Sequence, residues 1–385
     1  MVGAASDLSA AGTMSNVSTA WGDGTRCVRA GLPEPEPGQP LRPGPVFAAP
    51  YHLDPVTGKV SDGYGRTDNP TFRSLEAAIG ELEGGQCVSF SSGMAAICAV
   101  LLTVLRPGDR LVLPSDGYYG VRELARDTVA PLGISLIEVA TAGPYPSFDG
   151  ARLVLLESPS NPGLEVCDIA TLCAAAHASG SLVAVDSTTA TPLGQRPLEL
   201  GADLVVGSGT KALTGHSDLL LGYVVGTDPE LVDEVVAWRG RTGAIPGPFE
   251  AWLAHRSLST LDLRLARQST NAAAVAQMLA GRFEVTGLRW PGLRADPAYP
   301  VAAKQMRRIP GVVAFRLPDA AHVARFLRAA RLVDAATSFG GTHTTADRRA
   351  QWGDPVPEGL VRLSCGIEDT DDLVADLASA LDQAR

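Results

Sequence analysis

Through the middle of the chain, short apolar runs alternate with stretches in which apolar residues recur every three or four positions. Residues 87–90, 110–114, 135–139, 152–157, 182–185, 204–207 and 219–225 are short apolar runs, and each predicts a strand. Between them, Leu75, Ala78, Ile79 and Leu82 fall at helical spacing, and helices are predicted over 97–105, 121–129, 168–178, 197–201 and 228–238. Strands alternating with helices predict an α/β fold with a mainly parallel sheet covered on both faces. A long helical pattern starts at Pro248, carries Trp252, Leu253, Leu258, Leu261, Leu263 and Leu265, and runs to about 279. Beyond it, strands 312–316, 332–334 and 360–364 and helices 320–330 and 371–384 predict a smaller α/β unit, with Thr370 placed to cap the last helix. The expected organisation is an extended arm over 1–49, a large domain over 50–247 and a small C-terminal domain over 248–385.

Composition narrows the class. A chain of 385 residues can bury a large core. A formal charge of −10 argues against broad binding to nucleic acid or to anionic membranes. No apolar run reaches membrane-spanning length. The first twenty residues lack a basic start followed by an apolar stretch, so no signal peptide is expected, and their small, polar character predicts disorder. Pro33, Pro35, Pro37, Pro40, Pro43 and Pro45 argue against a helix or an inner strand across 21–50, which reads as an arm crossing its own or a partner's surface. Cys27, Cys87, Cys98, Cys167, Cys173 and Cys365 show neither a paired framework nor CxxC spacing, and read as reduced cysteines of a cytoplasmic protein. No His/Cys/Asp cluster has metal-ligand spacing, so no metal is expected. A hydrolase is disfavoured by the lack of a G-x-S-x-G motif.

The candidate chemistry lies where predicted strands end. After 204–207 come Ser208, Gly209, Thr210 and Lys211. A lysine there is partly desolvated and so able to act as a neutral amine, and the two hydroxyls beside it could hold a phosphate, an arrangement that suits pyridoxal phosphate (PLP). The other reading is a lysine at a surface strand end, but the chain holds only Lys59, Lys211 and Lys304 and otherwise uses arginine. Ser91-Ser92-Gly93-Met94 joins a strand to an apolar helix, an arrangement that presents free backbone N–H groups to an anion. Asp186 ends an apolar strand and either caps the next turn or meets a protonated ring nitrogen. Tyr118 and Tyr119 either pack or stack on a flat cofactor, and Asn161 sits in a turn at a strand end. Arg362 alternates with apolar neighbours, where a guanidinium needs a carboxylate, internal or from a ligand. Tyr64 and Arg66, before the helix-capping Asn69-Pro70-Thr71, read on their own as ordinary loop residues.

Taken in order, these stretches resemble the PLP-dependent enzymes of cysteine and methionine metabolism over roughly residues 45 to 375. The matching pieces are Tyr64-Gly-Arg66 with Asn69-Pro-Thr, Ser91-Ser-Gly-Met94, Tyr119-Gly120, Glu157-Ser-Pro-Ser-Asn161-Pro162, Asp186, Ser208-Gly-Thr-Lys211 with Gly215-His-Ser-Asp218, Ser338-Phe-Gly-Gly341 and Arg362-Leu-Ser. The resemblance implies the aspartate-aminotransferase-like fold (fold type I) and PLP as cofactor. It implies Lys211 as the Schiff-base lysine and proton carrier, Asp186 at the pyridine nitrogen, Asn161 at the ring hydroxyl, and Tyr119 stacked on the ring and able to move a proton. Gly93, Met94, Ser208 and Thr210 would hold the phosphate, and Tyr64 and Arg66 would reach the phosphate of a neighbouring subunit in a dimer-built tetramer. Arg362, helped by Ser338 and Asn161, would bind the substrate. The implied reaction is γ-elimination of cystathionine, with cystathionine γ-synthase or methionine γ-lyase chemistry as alternatives. A regulatory or structural PLP-fold protein is disfavoured by the presence of Lys211, Asp186 and Arg362. Ser187, Thr189, Ala212 and Thr337 depart from the family pattern, and Thr337 bears on the substrate because it lies toward that molecule's far end.

Overall fold

The computed structural model describes residues 21–58 and 62–385. The disorder expected of the first twenty residues lies outside them. The large sheet is assembled from the helix–strand alternation. In chain order it uses β1 (Gln86–Phe90), β2 (Arg110–Pro114), β3 (Ser135–Val139), β4 (Leu153–Glu157), β5 (Leu182–Asp186), β6 (Leu204–Gly207) and β7 (Gly222–Gly226). Across the sheet the order is β1-β7-β6-β5-β4-β2-β3. The pairs from β6 through to β3 are parallel, while β7 runs antiparallel to both β6 and β1. The expectation of a mainly parallel sheet holds.

Successive strand side chains point to opposite faces. Leu153, Leu155, Leu111 and Leu113 therefore meet one set of helices, and Val154, Leu156, Val183 and Val185 the other. With both faces covered, these strands read as unbroken apolar runs. The helices are α1 (Asp23–Arg29), α2 (Pro70–Glu83), α3 (Gly93–Val104), α4 (Tyr119–Leu124), α5 (Ile169–Ala178), α6 (Thr191–Gly194), α7 (Pro229–Thr242), α8 (Pro248–Leu258) and α9 (Leu261–Ala280). The start of α2 follows its sequence signal: Asn69 Oδ1 accepts from the Thr71 N–H at 2.8 Å, Pro70 fills the first position, and Gly84 ends the helix at φ 91°. Its buried stripe is Leu75, Ala78, Ile79 and Leu82.

The second sheet orders β10 (Asp334–Ala335), β11 (Thr345–Arg348), β12 (Leu360–Ser364), β9 (Val312–Arg316) and β8 (Thr286–Arg289). It packs against α11 (Ala320–Ala329) and α12 (Thr370–Gln383), and α10 (Tyr299–Gln305) lies between β8 and β9 in sequence. Helix α9 links the two cores. Leu261 and Leu265 pack with α2 and α8, whereas Ala272, Val275, Ala276 and Leu279 pack with the second sheet.

Several local expectations need correction. The segment 21–50 does contain a helix, α1, which buries Cys27 and ends before the first of the prolines at Pro33. The proline-bearing part beyond it is held on the chain's own surface: Trp252 Nε1 donates to Pro43 O at 2.9 Å, Asn69 Nδ2 to Val46 O at 2.9 Å, and Pro50 bridges Tyr64. The pattern over 248–279 is two helices rather than one, broken at Ser259 and Thr260. The α4 helix ends at Leu124 and continues as a π-helical turn over Ala125–Val129. The strand expected at 332–334 is displaced to 334–335.

Candidate active site

The parallel strands all end at one edge, where their connecting loops open a cleft. A cavity of about 360 Å³ lies there. Ten of the residues singled out from sequence line it: Gly93, Met94, Tyr119, Asn161, Asp186, Ser208, Thr210, Lys211, Ser338 and Arg362. Tyr64 and Arg66 do not. Tyr64 is 48% exposed, and the Arg66 guanidinium lies over its ring at 5.6 Å and donates to Gly240 O.

Each lining residue is fixed by the element beneath it. Ser92 caps α3 by accepting from the Ala95 N–H at 3.1 Å, which leaves the N–H groups of Gly93 and Met94 at the open helix start. Gly93 permits a close approach, since a Cβ there would stand 2.7 Å from Ser208 Cβ. Ser208 N–H donates to Thr188 Oγ1 at 2.8 Å, and the Thr188 N–H donates to Asp186 Oδ1 at 2.9 Å, so β5 and β6 are laced together at their ends. Thr210 Oγ1 accepts from the Leu221 N–H at 2.9 Å and donates to Leu221 O at 3.2 Å, so its hydroxyl is engaged on the backbone. The turn after Lys211 is held by Arg264 of α9, which donates to Ala212 O at 2.7 Å and Leu213 O at 3.0 Å.

Burial sets the electrostatics. It lowers the Lys211 pKa, with the positive Arg362 adding to the effect and Asp186 opposing it. Burial raises Asp186, against the hydrogen bonds from Thr188 and the charge of Lys211. Phe339 lies between the two cations, its ring 5.8 Å from Lys211 Nζ and 5.2 Å from Arg362 Cζ. Arg362 is buried on β12, where it donates to Asn161 Oδ1 at 2.7 Å and to Ser338 O at 2.9 Å, and its Nε finds no partner among the described residues. Ser338 presents that carbonyl from a left-handed conformation, φ 76°, which a non-glycine residue adopts at a cost.

Sequence reasoning assigned no role to Glu157, the end of a strand whose five residues are all buried. Its Oε1 accepts from the Asn161 N–H and its Oε2 from the Tyr118 N–H, each at 2.7 Å, so one carboxylate ties together the two loops that carry Asn161 and Tyr119. Burial and the neighbouring Asp186 push its pKa from 4.5 up to about 8. The signal that marked Asp186, an acid ending an apolar strand, was equally present here. Arg349 and Trp352 also line the cavity, and no motif announced them.

These residues fit PLP. The helix start at Gly93 suits a phosphate. Tyr119 supplies a ring, and Lys211 and Asp186 supply an amine and a carboxylate on the same cavity. The orphaned, buried Nε of Arg362 suits a substrate carboxylate. The arrangement defines a PLP-dependent enzyme of fold type I. The chain belongs to the Cys/Met metabolism PLP-dependent enzymes, whose family profile matches residues 52–382. It is 57% identical over 376 residues to a Streptomyces coelicolor protein provisionally named cystathionine gamma-lyase, covering 95% of both chains. It is 38% identical over 379 residues to cystathionine gamma-synthase of Mycobacterium tuberculosis, covering 94% of this chain and 97% of that one. Among solved structures it is similar to cystathionine gamma synthase from Xanthomonas oryzae pv. oryzae in complex with cystathionine, at 36% identity and a TM-score of 0.91, covering 95% of this chain and 99% of that one.

Among the described residues no helix is long and apolar enough to cross a membrane, and no cluster of His, Cys, Asp and Glu is arranged to hold a metal ion. All six cysteines are unpaired.

Proposed function

We propose that this enzyme is a carbon–sulfur lyase that carries out γ-elimination on L-cystathionine, giving cysteine, 2-oxobutanoate and ammonia with uptake of one water. The observation that carries the chemistry is the convergence of Lys211, Asp186 and Arg362 on one cavity. The substrate is supported by the similarity to the Streptomyces coelicolor protein. Bound PLP supplies the electron sink that acidifies the carbon-bound protons of an amino acid. Asp186 would hold the protonated pyridine nitrogen, Asn161 would face the ring hydroxyl, and the Gly93 and Met94 N–H groups with Ser208 would hold the phosphate, Thr210 bracing that loop. Lys211, with its lowered pKa, is suited to carry protons from Cα and Cβ near neutral pH. Tyr119 delivers a proton to the departing sulfur. Arg362 takes the α-carboxylate and fixes the scissile bond relative to Lys211. Tyr64 and Arg66, which stand outside the chain's own cavity, would serve the phosphate of a neighbouring subunit, so the working form is a homo-oligomer built from dimers. The six unpaired thiols support a reducing, cytoplasmic setting.

A second reading, γ-synthase chemistry on an O-acylhomoserine, is supported by the similarity to the Mycobacterium tuberculosis enzyme. The deciding experiment incubates purified holoenzyme separately with cystathionine, with O-succinylhomoserine plus cysteine, and with methionine, and identifies the products. Cystathionine should yield 2-oxobutanoate and cysteine. Pyruvate with homocysteine would mean β-elimination and would overturn the γ-lyase reading.

A further inference from the structure

Several residues of the cavity wall have no part in the roles above, Arg349 and Trp352 among them. Arg349 and Trp352 are the first and last residues of a single 3-10 turn, Arg349–Trp352, that follows β11. Arg349 is buried and bound on both sides. Its Nε and Nη2 donate to Asp354 Oδ2 at 2.9 and 2.5 Å, and its Nη1 donates to Asp347 Oδ2 at 2.9 Å. Asp347 also pairs with Arg362 at 3.3 Å, and Asp354 with Arg122 of α4 at 3.6 Å. Buried charges persist only when paired and hydrogen-bonded, so this cluster clamps the turn to the guanidinium that receives the α-carboxylate. Among the described residues the carboxylates paired with Arg122, Arg349 and Arg362 here are those of Asp347 and Asp354, and the one positive charge left over is the one that Arg362 offers to the α-carboxylate. Trp352, at the far end of the clamped turn, is 44% exposed although it lines the cavity. An indole held there offers an apolar body and a face that attracts cations.

We propose that Trp352, positioned by the Arg349–Asp347–Asp354 cluster, is a specificity residue for the half of the substrate beyond the sulfur. The leaving cysteinyl half of cystathionine is a zwitterion. Its methylene and ammonium match the indole. The site therefore prefers a thioether that carries a second amino acid to one that carries only a methyl group. This inference rests on the lyase reading of the same site.

The test is a rapid-mixing titration of holoenzyme with L-cystathionine and with L-methionine, reading dissociation constants from the cofactor absorbance, in the unaltered enzyme, Trp352→Phe and Trp352→Ala. The unaltered enzyme should bind cystathionine more tightly. Trp352→Ala should weaken cystathionine roughly 3- to 30-fold and methionine less than about twofold, while Trp352→Phe keeps most of the preference. Equal losses for both ligands, an unchanged constant for cystathionine in Trp352→Ala, or a changed assembly size in that variant would each overturn the proposal, the last because the indole would then belong to a subunit contact. Failure of the lyase reading shows separately, as the wrong products from the unaltered enzyme, because binding preference is read here without turnover.

Discussion

Asp186 ends β5 and Lys211 follows the end of its parallel neighbour β6; burial disfavours the charged form of both, which favours a neutral amine at Lys211 and leaves Asp186 to be kept ionised by a cationic partner. If Lys211 is the residue that carries PLP, borohydride treatment of the yellow holoenzyme followed by peptide mass spectrometry should find the cofactor on Lys211; a label on Lys59 or Lys304 would sink the assignment. Asp186→Asn keeps the shape but removes the charge. A charge-assisted hydrogen bond contributes roughly 1.5–3 kcal/mol, so turnover should fall by about 10-fold or more while PLP affinity changes less. Near-normal kcat in that variant would remove Asp186 from the mechanism. Glu157 makes a different, pH-linked prediction. Its pKa is raised from 4.5 to about 8 in the folded chain. Between those values the folded chain keeps a proton that the unfolded chain has released, so this group's contribution to stability is full below the lower value and declines as pH rises through the higher one. Glu157→Gln has no proton to bind. Denaturant titrations at about pH 5 and about pH 8 should therefore differ less in the variant than in the unaltered enzyme, after the remaining groups have made their common contribution. An identical pH dependence would show that Glu157 is ionised throughout.

At the scale of elements, the site exists because a loop of the second sheet lies directly on the turn after Lys211. Gly340 makes that contact possible: its φ is 79°, and a Cβ would stand 2.4 Å from the Ala212 nitrogen. Gln268 of α9 holds the same loop, donating to Gly341 O at 2.7 Å. Gly340→Ala should therefore cost of order 1–3 kcal/mol of stability and displace Ser338 and Phe339, lowering activity in the folded fraction as well. Unfolding midpoints beside kcat/KM would check it, and an alanine variant of unchanged stability would show that the loop is not tightly docked. The strands of the large sheet are legible because burial on both faces writes them as apolar runs, and their ends point to the residues that meet in the cavity for the same reason. Other elements left weaker marks. The break at Ser259 and Thr260 is hidden because Leu258, Leu261 and Leu265 join one core across it. Strands β8 and β11, Thr-Gly-Leu-Arg and Thr-Ala-Asp-Arg, show neither an apolar run nor alternation, and exist through pairing with β9 and β12. Arg349 sits with Asp347 and Asp354 in a polar stretch that reads as surface, and only the tertiary fold buries these three beside Arg362.

At the scale of the whole molecule, the chain leaves two of its motif residues away from its own cavity. Tyr64 and Arg66 follow an arm that the chain holds against itself at Pro43, Val46 and Pro50, and the Arg66 guanidinium rests on Tyr64 and the Gly240 carbonyl at the surface. A phosphate at the start of α3 would meet the N–H groups of Gly93 and Met94 and the Ser208 hydroxyl, while among the described residues the arginines that line the cavity, Arg349 and Arg362, are paired with Asp347 and Asp354. If a second copy of the chain supplies the phosphate with a cation, each site takes Lys211 from one protomer and Arg66 from the other. Arg66→Ala and Lys211→Ala protomers should then each be inactive alone. When they exchange subunits, a mixed dimer holds one site with both residues intact and one site lacking both. Equal amounts exchanging at random make half of the dimers mixed, so recovery should approach roughly a quarter of the unaltered activity. The measurement is cystathionine turnover before and after exchange, with mixed dimers counted by native mass spectrometry on protomers of different tag mass. Mixed dimers without recovered turnover would mean that each chain builds its site alone, and Arg66 would then be a surface residue whose loss acts through its contact with Gly240.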